Sequence, residues 1–188
     1  MKTYKRNLQI SFGASLAILI ISSAASYISI RNMMESAKLV NHTSSVLLEL
    51  NNIMAWLRDA EAAQRGYLLT QDEEFIAPYK EAVNNARQSF DMVDSMTADN
   101  PTQQEACVEL KSLLEKRVYI LQRVIDIKNQ TKKIDNTEFR RGAEHMSALS
   151  RTVNMMKLRE QLLLAKRAES LNTFSGYTLW LIVAGGII

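Results

Sequence analysis

The chain has 188 residues, enough for one domain with a sizeable core, and its 47% hydrophobic content comes with only six glycines and two prolines. So few turn formers argue against a many-stranded sheet and favour long helices, while a single cysteine, Cys107, excludes an internal disulfide or a multi-cysteine metal site. The net charge of +3 resides in Lys2, Lys5 and Arg6; the remaining basic residues equal the 20 acidic ones in number, which leaves no basic face for a nucleic acid.

Residues 8–30 carry no charge. At about 1.5 Å per residue they reach roughly 35 Å, enough to cross a hydrocarbon core of about 30 Å. The basic cluster in residues 1–7 precedes this run, as expected of a cytoplasmic N-terminus followed by a membrane anchor. A retained transmembrane helix is favoured over a cleaved signal peptide, because the apolar run is long for a signal sequence.

Residues 31–176 read as helical throughout. Val40, Leu47, Met54 and Leu68, with Leu50 and Leu57 offset by three, predict a first helix; Leu39, Val46, Ile53 and Ala60 widen its stripe. Phe75, Tyr79, Val83, Ala86, Phe90 and Val93 predict a second. Ala106, Leu110, Leu113, Ile120, Val124 and Ile127 predict a third, with Leu114 and Leu121 beside them. Phe139, Met146, Leu149, Val153, Met156 and Leu163 predict a fourth. Three breaks divide them: Thr70-Gln-Asp-Glu73, Asn100-Pro101-Thr-Gln103 and Asp135-Asn-Thr-Glu138, each with a cap residue and an acidic or amide residue three further on. The helices are then roughly 39, 27, 33 and 37 residues long, and Pro78 either begins or kinks the second. Residues 177–188 are uncharged and open with aromatic residues, as a second transmembrane helix would.

The expected fold is all-α: an up-down antiparallel four-helix bundle whose long first and last helices continue into two membrane spans. An even number of helices returns the chain to the membrane it left. With the basic N-terminus inside, the bundle lies in the periplasm or outside the cell, anchored in a bacterial inner membrane.

Polar residues interrupt the stripes. Glu61, Gln64 and Arg65 fall on the inward side of the first helix, Arg117 on the third, and Glu160 and Arg167 on the fourth. Buried polar groups each cost a few kcal/mol unless fully partnered. These six residues are candidates for a core layer that fixes register, for a stimulus-binding site, or for plain solvent exposure. Gly66 offers least bulk where the chain turns over Tyr67 towards Thr70. His42 and His145 lack the Glu-x-x-His spacing of a di-iron bundle, no phosphate loop is present, and the methionines fall at core spacing; neither catalytic residues, metal nor cofactor is expected.

The segment Asp59-Ala-Glu-Ala-Ala-Gln-Arg-Gly-Tyr-Leu-Leu-Thr70, followed by Asp72-Glu-Glu-Phe-Ile-Ala-Pro-Tyr79, resembles the extracytoplasmic CHASE sensor domain of the third type. Ala98-Asp-Asn-Pro-Thr-Gln-Gln104 and Glu160-Gln-Leu-Leu-Leu-Ala-Lys-Arg167 are similar to later landmarks of that family, over about residues 35–170. Ser147 stands where the family often carries an acidic residue. The resemblance implies a helical bundle between two membrane helices in a signalling receptor, foremost a two-component histidine kinase, otherwise a chemoreceptor or nucleotide cyclase. It implies a parallel homodimer and a small-molecule or protein stimulus. A membrane-held structural or adaptor bundle is the competing class.

Overall fold

The structure is a computed structural model that describes the backbone of residues 2–132 and 136–186 and the side chains of 4–132, 137–167 and 169. Four α-helices run in order: α1 (Lys2–Thr70), α2 (Ile76–Met96), α3 (Pro101–Thr131) and α4 (Asn136–Gly186), with a short 3-10 turn at Glu73–Phe75. The described residues contain no strand. Two compact units result, one of residues 1–41 and 163–188, the other of residues 42–162.

The 42–162 unit is the bundle. Its cross-helix hydrogen bonds give the register. Glu61, Gln64 and Tyr67 of α1 meet Arg117, Leu121 and Asn129 of α3 in the same order, so these helices run parallel. Arg87 meets Glu115 and Asp94 meets Gln104, so α2 and α3 run antiparallel. Thr152 meets Glu109 and Arg159 meets Thr102, which sets α4 antiparallel to α3. This is the up-down four-helix arrangement expected from the short connections.

Each helix presents a seam spaced alternately by four and three residues. In α1 it is Val46, Leu50, Ile53, Leu57, Ala60, Gln64 and Tyr67; in α2, Tyr79, Val83, Ala86, Phe90 and Val93. In α3 it is Gln103, Cys107, Leu110, Leu114, Arg117, Leu121 and Val124; in α4, Leu149, Val153, Met156 and Glu160. All of these are buried, and the 3.5-residue repeat is that of helices packed nearly in line. The expected α1 seam through Val40 and Leu47 is instead its flank. Leu47 is half-buried and Leu39 exposed, because the line through Val46, Leu50 and Ile53 faces the other helices.

The turns differ in part from expectation. Thr70 does not form a capping box with Glu73. Its Oγ1 donates to Gly66 O at 2.8 Å and accepts from Asp72 N–H at 3.1 Å, while Asp72 itself caps the 3-10 turn by accepting from Glu74 N–H at 2.9 Å. Gln71 takes a left-handed φ of 60°, closing α1 through its N–H to Tyr67 O at 2.7 Å. Pro78 lies in the first turn of α2, where a missing N–H leaves no helical bond unmade, so it neither begins nor kinks the helix. Asn100 caps α3 as expected, with Pro101 following it and Oδ1 accepting from Gln103 N–H at 3.3 Å. The expected cap at Asp135 lies outside the described residues.

In the other unit, α1 carries an apolar window long enough to cross a membrane, and none of that window is buried in the chain. Leu8, Ile10, Leu19 and Ile21 are all mostly exposed.

Leu57 is fully buried, whereas Leu69 is 80% exposed. Leu57→Ala should therefore cost about 2–5 kcal/mol and Leu69→Ala less than about 0.5 kcal/mol, read as shifts in thermal unfolding of the lipid-embedded chain. Equal effects would contradict this core.

Candidate functional site

The seams place polar side chains where apolar ones normally sit. Arg117 is the most deeply placed cation among the described residues, its side chain 5% exposed. Its Nη2 donates to Glu61 Oε2, while Glu61 Oε1 accepts from Arg65 Nη2 one turn along α1. Glu61 is 22% exposed and Arg65 61%, so one carboxylate bridges a buried guanidinium to a solvated one. Arg117 Nε is buried without a hydrogen-bond partner. Room for this guanidinium comes from Gly142 of α4, where an added Cβ would run into Arg117 Nη1. One turn on, Gln64 is buried and its Nε2 donates to Leu121 O at 2.6 Å. Tyr67 then donates its hydroxyl to Asn129 Oδ1 at 2.7 Å.

The six candidate residues do not form one layer. Glu61, Gln64, Arg65 and Arg117 share the region below the Thr70 end. Glu160 is at the Asn100 end, 4% exposed, and accepts from Gln103 Nε2 at 2.8 Å. Gln103 Nε2 also donates to Met156 O at 3.2 Å, and its Oε1 is buried and unpartnered. Arg167 belongs to the other unit, half-buried, with Nη1 donating to Leu39 O at 3.2 Å. Helical periodicity placed them on inward faces but not at a common height along the bundle.

The packing residues at the turn act together. A Cβ at Gly66 would meet the Phe75 ring at 2.5 Å, so the glycine lets the 3-10 turn fold back over α1. Tyr67 is buried, and Thr70 and Pro78 are exposed.

Three residues of this polar framework were not singled out as core polar groups by sequence: Gln103, Gly142 and Glu138. Gln103 resembled a capping residue. Its side chain instead points into the core, and its place in the line with Cys107 and Leu110 carries the signal. Glu138 is buried between Arg123 at 3.2 Å and Arg141 at 3.3 Å, both largely exposed. Among the described residues no group of three His, Cys, Asp or Glu side chains could hold a metal ion.

Clefts lie on the bundle surface. One of about 590 Å³ opens between α1 and α2 near the Asn100 end, walled by Leu48, Met92 and Met96. Two more open between α2 and α3, meeting at Tyr79. Burial, with the Asp126 carboxylate nearby, pushes the Tyr79 phenol up to about 12. Hydrogen bonds from Arg87 hold the Glu115 carboxyl below its usual range.

Two predictions follow from this geometry. Glu61→Leu strands the buried Arg117 and should cost about 3–5 kcal/mol, whereas Glu61→Leu with Arg117→Met should cost far less; Arg65→Ala should stay below about 1 kcal/mol. Thermal unfolding of the four proteins checks the order, and equal costs for Arg65→Ala and Glu61→Leu would contradict it. For Tyr79, a folded pKa above the unfolded value of about 10 means its stabilising contribution is complete below pH 10 and lost as pH rises through about 12. Absorbance titration should show a late phenol ionisation that Tyr79→Phe removes.

The sequence pattern of the CHASE3 domain matches residues 36–170. The bundle is also similar to the crystal structure of the Rhodopseudomonas palustris histidine kinase HK9 sensor domain, with a TM-score of 0.61 and 26% sequence identity, over 65% of this chain and 98% of that one. No curated protein matches the chain. With most of its length covered by the domain's pattern and its bundle shared with a sensor domain, this chain belongs to the CHASE3 domain family.

Proposed function

We propose that the chain is the extracytoplasmic input module of a bacterial membrane receptor, most specifically a two-component sensor histidine kinase, working as a parallel homodimer. The observation that carries this reading is α1. It is one unbroken helix from Lys2 to Thr70, uncharged and without a buried side chain over residues 8–28 and seamed for a bundle from Val46 onward. Apolar side chains exposed in such density are suited to a bilayer, which supports a membrane span here. The basic residues Lys2, Lys5 and Arg6 at its start favour a cytoplasmic N-terminus, which puts the bundle on the opposite side. The HK9 likeness supports kinase output over the chemoreceptor and cyclase outputs that the same module serves.

In this reading the stimulus acts on the bundle, and the continuous helices α1 and α4 carry the displacement to the membrane spans. The polar pairs make that displacement discrete. Helices locked by Glu61–Arg117 and Gln103–Glu160 hold one register until a stimulus favours another. The polar residues are thus proposed to organise the bundle rather than to bind the stimulus.

A periplasm-dependent reporter inserted at Asp99 should be active, and a cytoplasm-dependent one silent; the reverse pattern would overturn the assignment. Cysteines introduced singly along residues 33–38, with Cys107→Ser, should crosslink in membranes with helical periodicity. Crosslinking at no position would argue for a monomer, and a bundle that changes no output when joined to a kinase would argue for the adaptor.

A further inference from the structure

The two clefts between α2 and α3 measure about 470 and 490 Å³ and share Tyr79, Lys80 and Gln122, so they form one groove in the size range of small-molecule sites. Arg87 and Glu115 at its lower end close on each other through two hydrogen bonds, at 2.9 and 2.7 Å. The same two helices carry a second pair of opposite charges that does not close. Lys80 of α2 and Asp126 of α3 line the same cleft, yet neither forms an ion pair among the described residues. Asp126 accepts a hydrogen bond from Gln122 Nε2, at 2.9 Å, one turn back on α3. The Tyr79 ring is buried beneath, and its phenol remains a protonated donor at neutral pH.

A simple anion on Lys80 would be repelled by Asp126 and by Glu73, which lines the same cleft, and a simple cation on the two carboxylates would leave Lys80 unpaired. A ligand carrying both charges satisfies both. We propose that this groove binds a free α-amino acid, its carboxylate on Lys80 and the Tyr79 hydroxyl, its ammonium on Asp126. The site deepens the sensor reading by naming the class of stimulus, and its meaning as a stimulus rests on that reading.

The test uses the whole chain in lipid nanodiscs with each of the twenty standard amino acids at about 1 mM, screened by thermal unfolding and then titrated calorimetrically. At least one should bind saturably. Lys80→Ala and Asp126→Asn should each weaken it about tenfold or more, as should removing the ammonium or the carboxylate from that amino acid. Both side chains are exposed, so the variants should keep the helicity of the parent. Binding by no amino acid, binding untouched by either substitution, or equal binding of the deaminated acid would each overturn the proposal. Binding that leaves the output of a kinase chimera unchanged supports the site and contradicts the amino acid as the stimulus. A chimera that responds to a stimulus while no amino acid binds overturns the site and leaves the sensor reading standing.

Discussion

The register of the bundle depends on one buried cation. Arg117 sits where its helix would otherwise place a leucine, and desolvating a guanidinium costs several kcal/mol unless its partners are fixed. The chain meets that cost from two other helices. Glu61 of α1 supplies the carboxylate, and Gly142 of α4 leaves the volume. A shift of α1 along α3 by one turn would strip Arg117 of the Glu61 carboxylate, and a shift of α4 would bring a Cβ against it. An apolar seam alone penalises such slips weakly, because one leucine layer resembles the next. A single charged seat makes the layers unequal, as a lone polar residue does in a coiled coil.

The second polar level, Gln103 with Glu160, repeats the principle at the Asn100 end between α3 and α4. Each level ties α3 to a different neighbour: α1 above, α4 below. Helix α3 is thereby the common reference for the two helices that leave the bundle. It also forms one wall of the groove opposite α2, so a ligand bridging Lys80 and Asp126 would pull on the element to which both exits are registered. The unpartnered Nε of Arg117 and Oε1 of Gln103 mark these levels as less than fully satisfied.

Much of this was legible in the sequence. The uncharged run before a balanced segment gave the apolar stretch of α1, the four periodic stripes gave four helices, and Asn100-Pro101 gave the start of α3. What was not legible depended on distance. The Glu61–Arg65 pair reads directly from a spacing of four, yet the partner that matters lies on another helix, and periodicity carries no information about relative height. Arg167 and Glu160 therefore looked equivalent to Arg117. Thr70-Glu73 had the form of a capping box, but Asp72 competed for the role, and the left-handed Gln71 ended α1 first. Gln103 satisfied a local pattern so well that its tertiary role was hidden.

The central claim is that Arg117 sets the register through the space that Gly142 leaves. The direct measurement is a double-mutant cycle with Gly142→Ala and Arg117→Met, read by thermal unfolding of the lipid-embedded chain. If the guanidinium occupies that space, the alanine should cost the parent more than about 1 kcal/mol relative to the Arg117→Met background, where helix propensity favours the alanine by up to about 1 kcal/mol. The same cost in both backgrounds would mean that Arg117 and Gly142 are independent and that the register is held by the apolar seam alone.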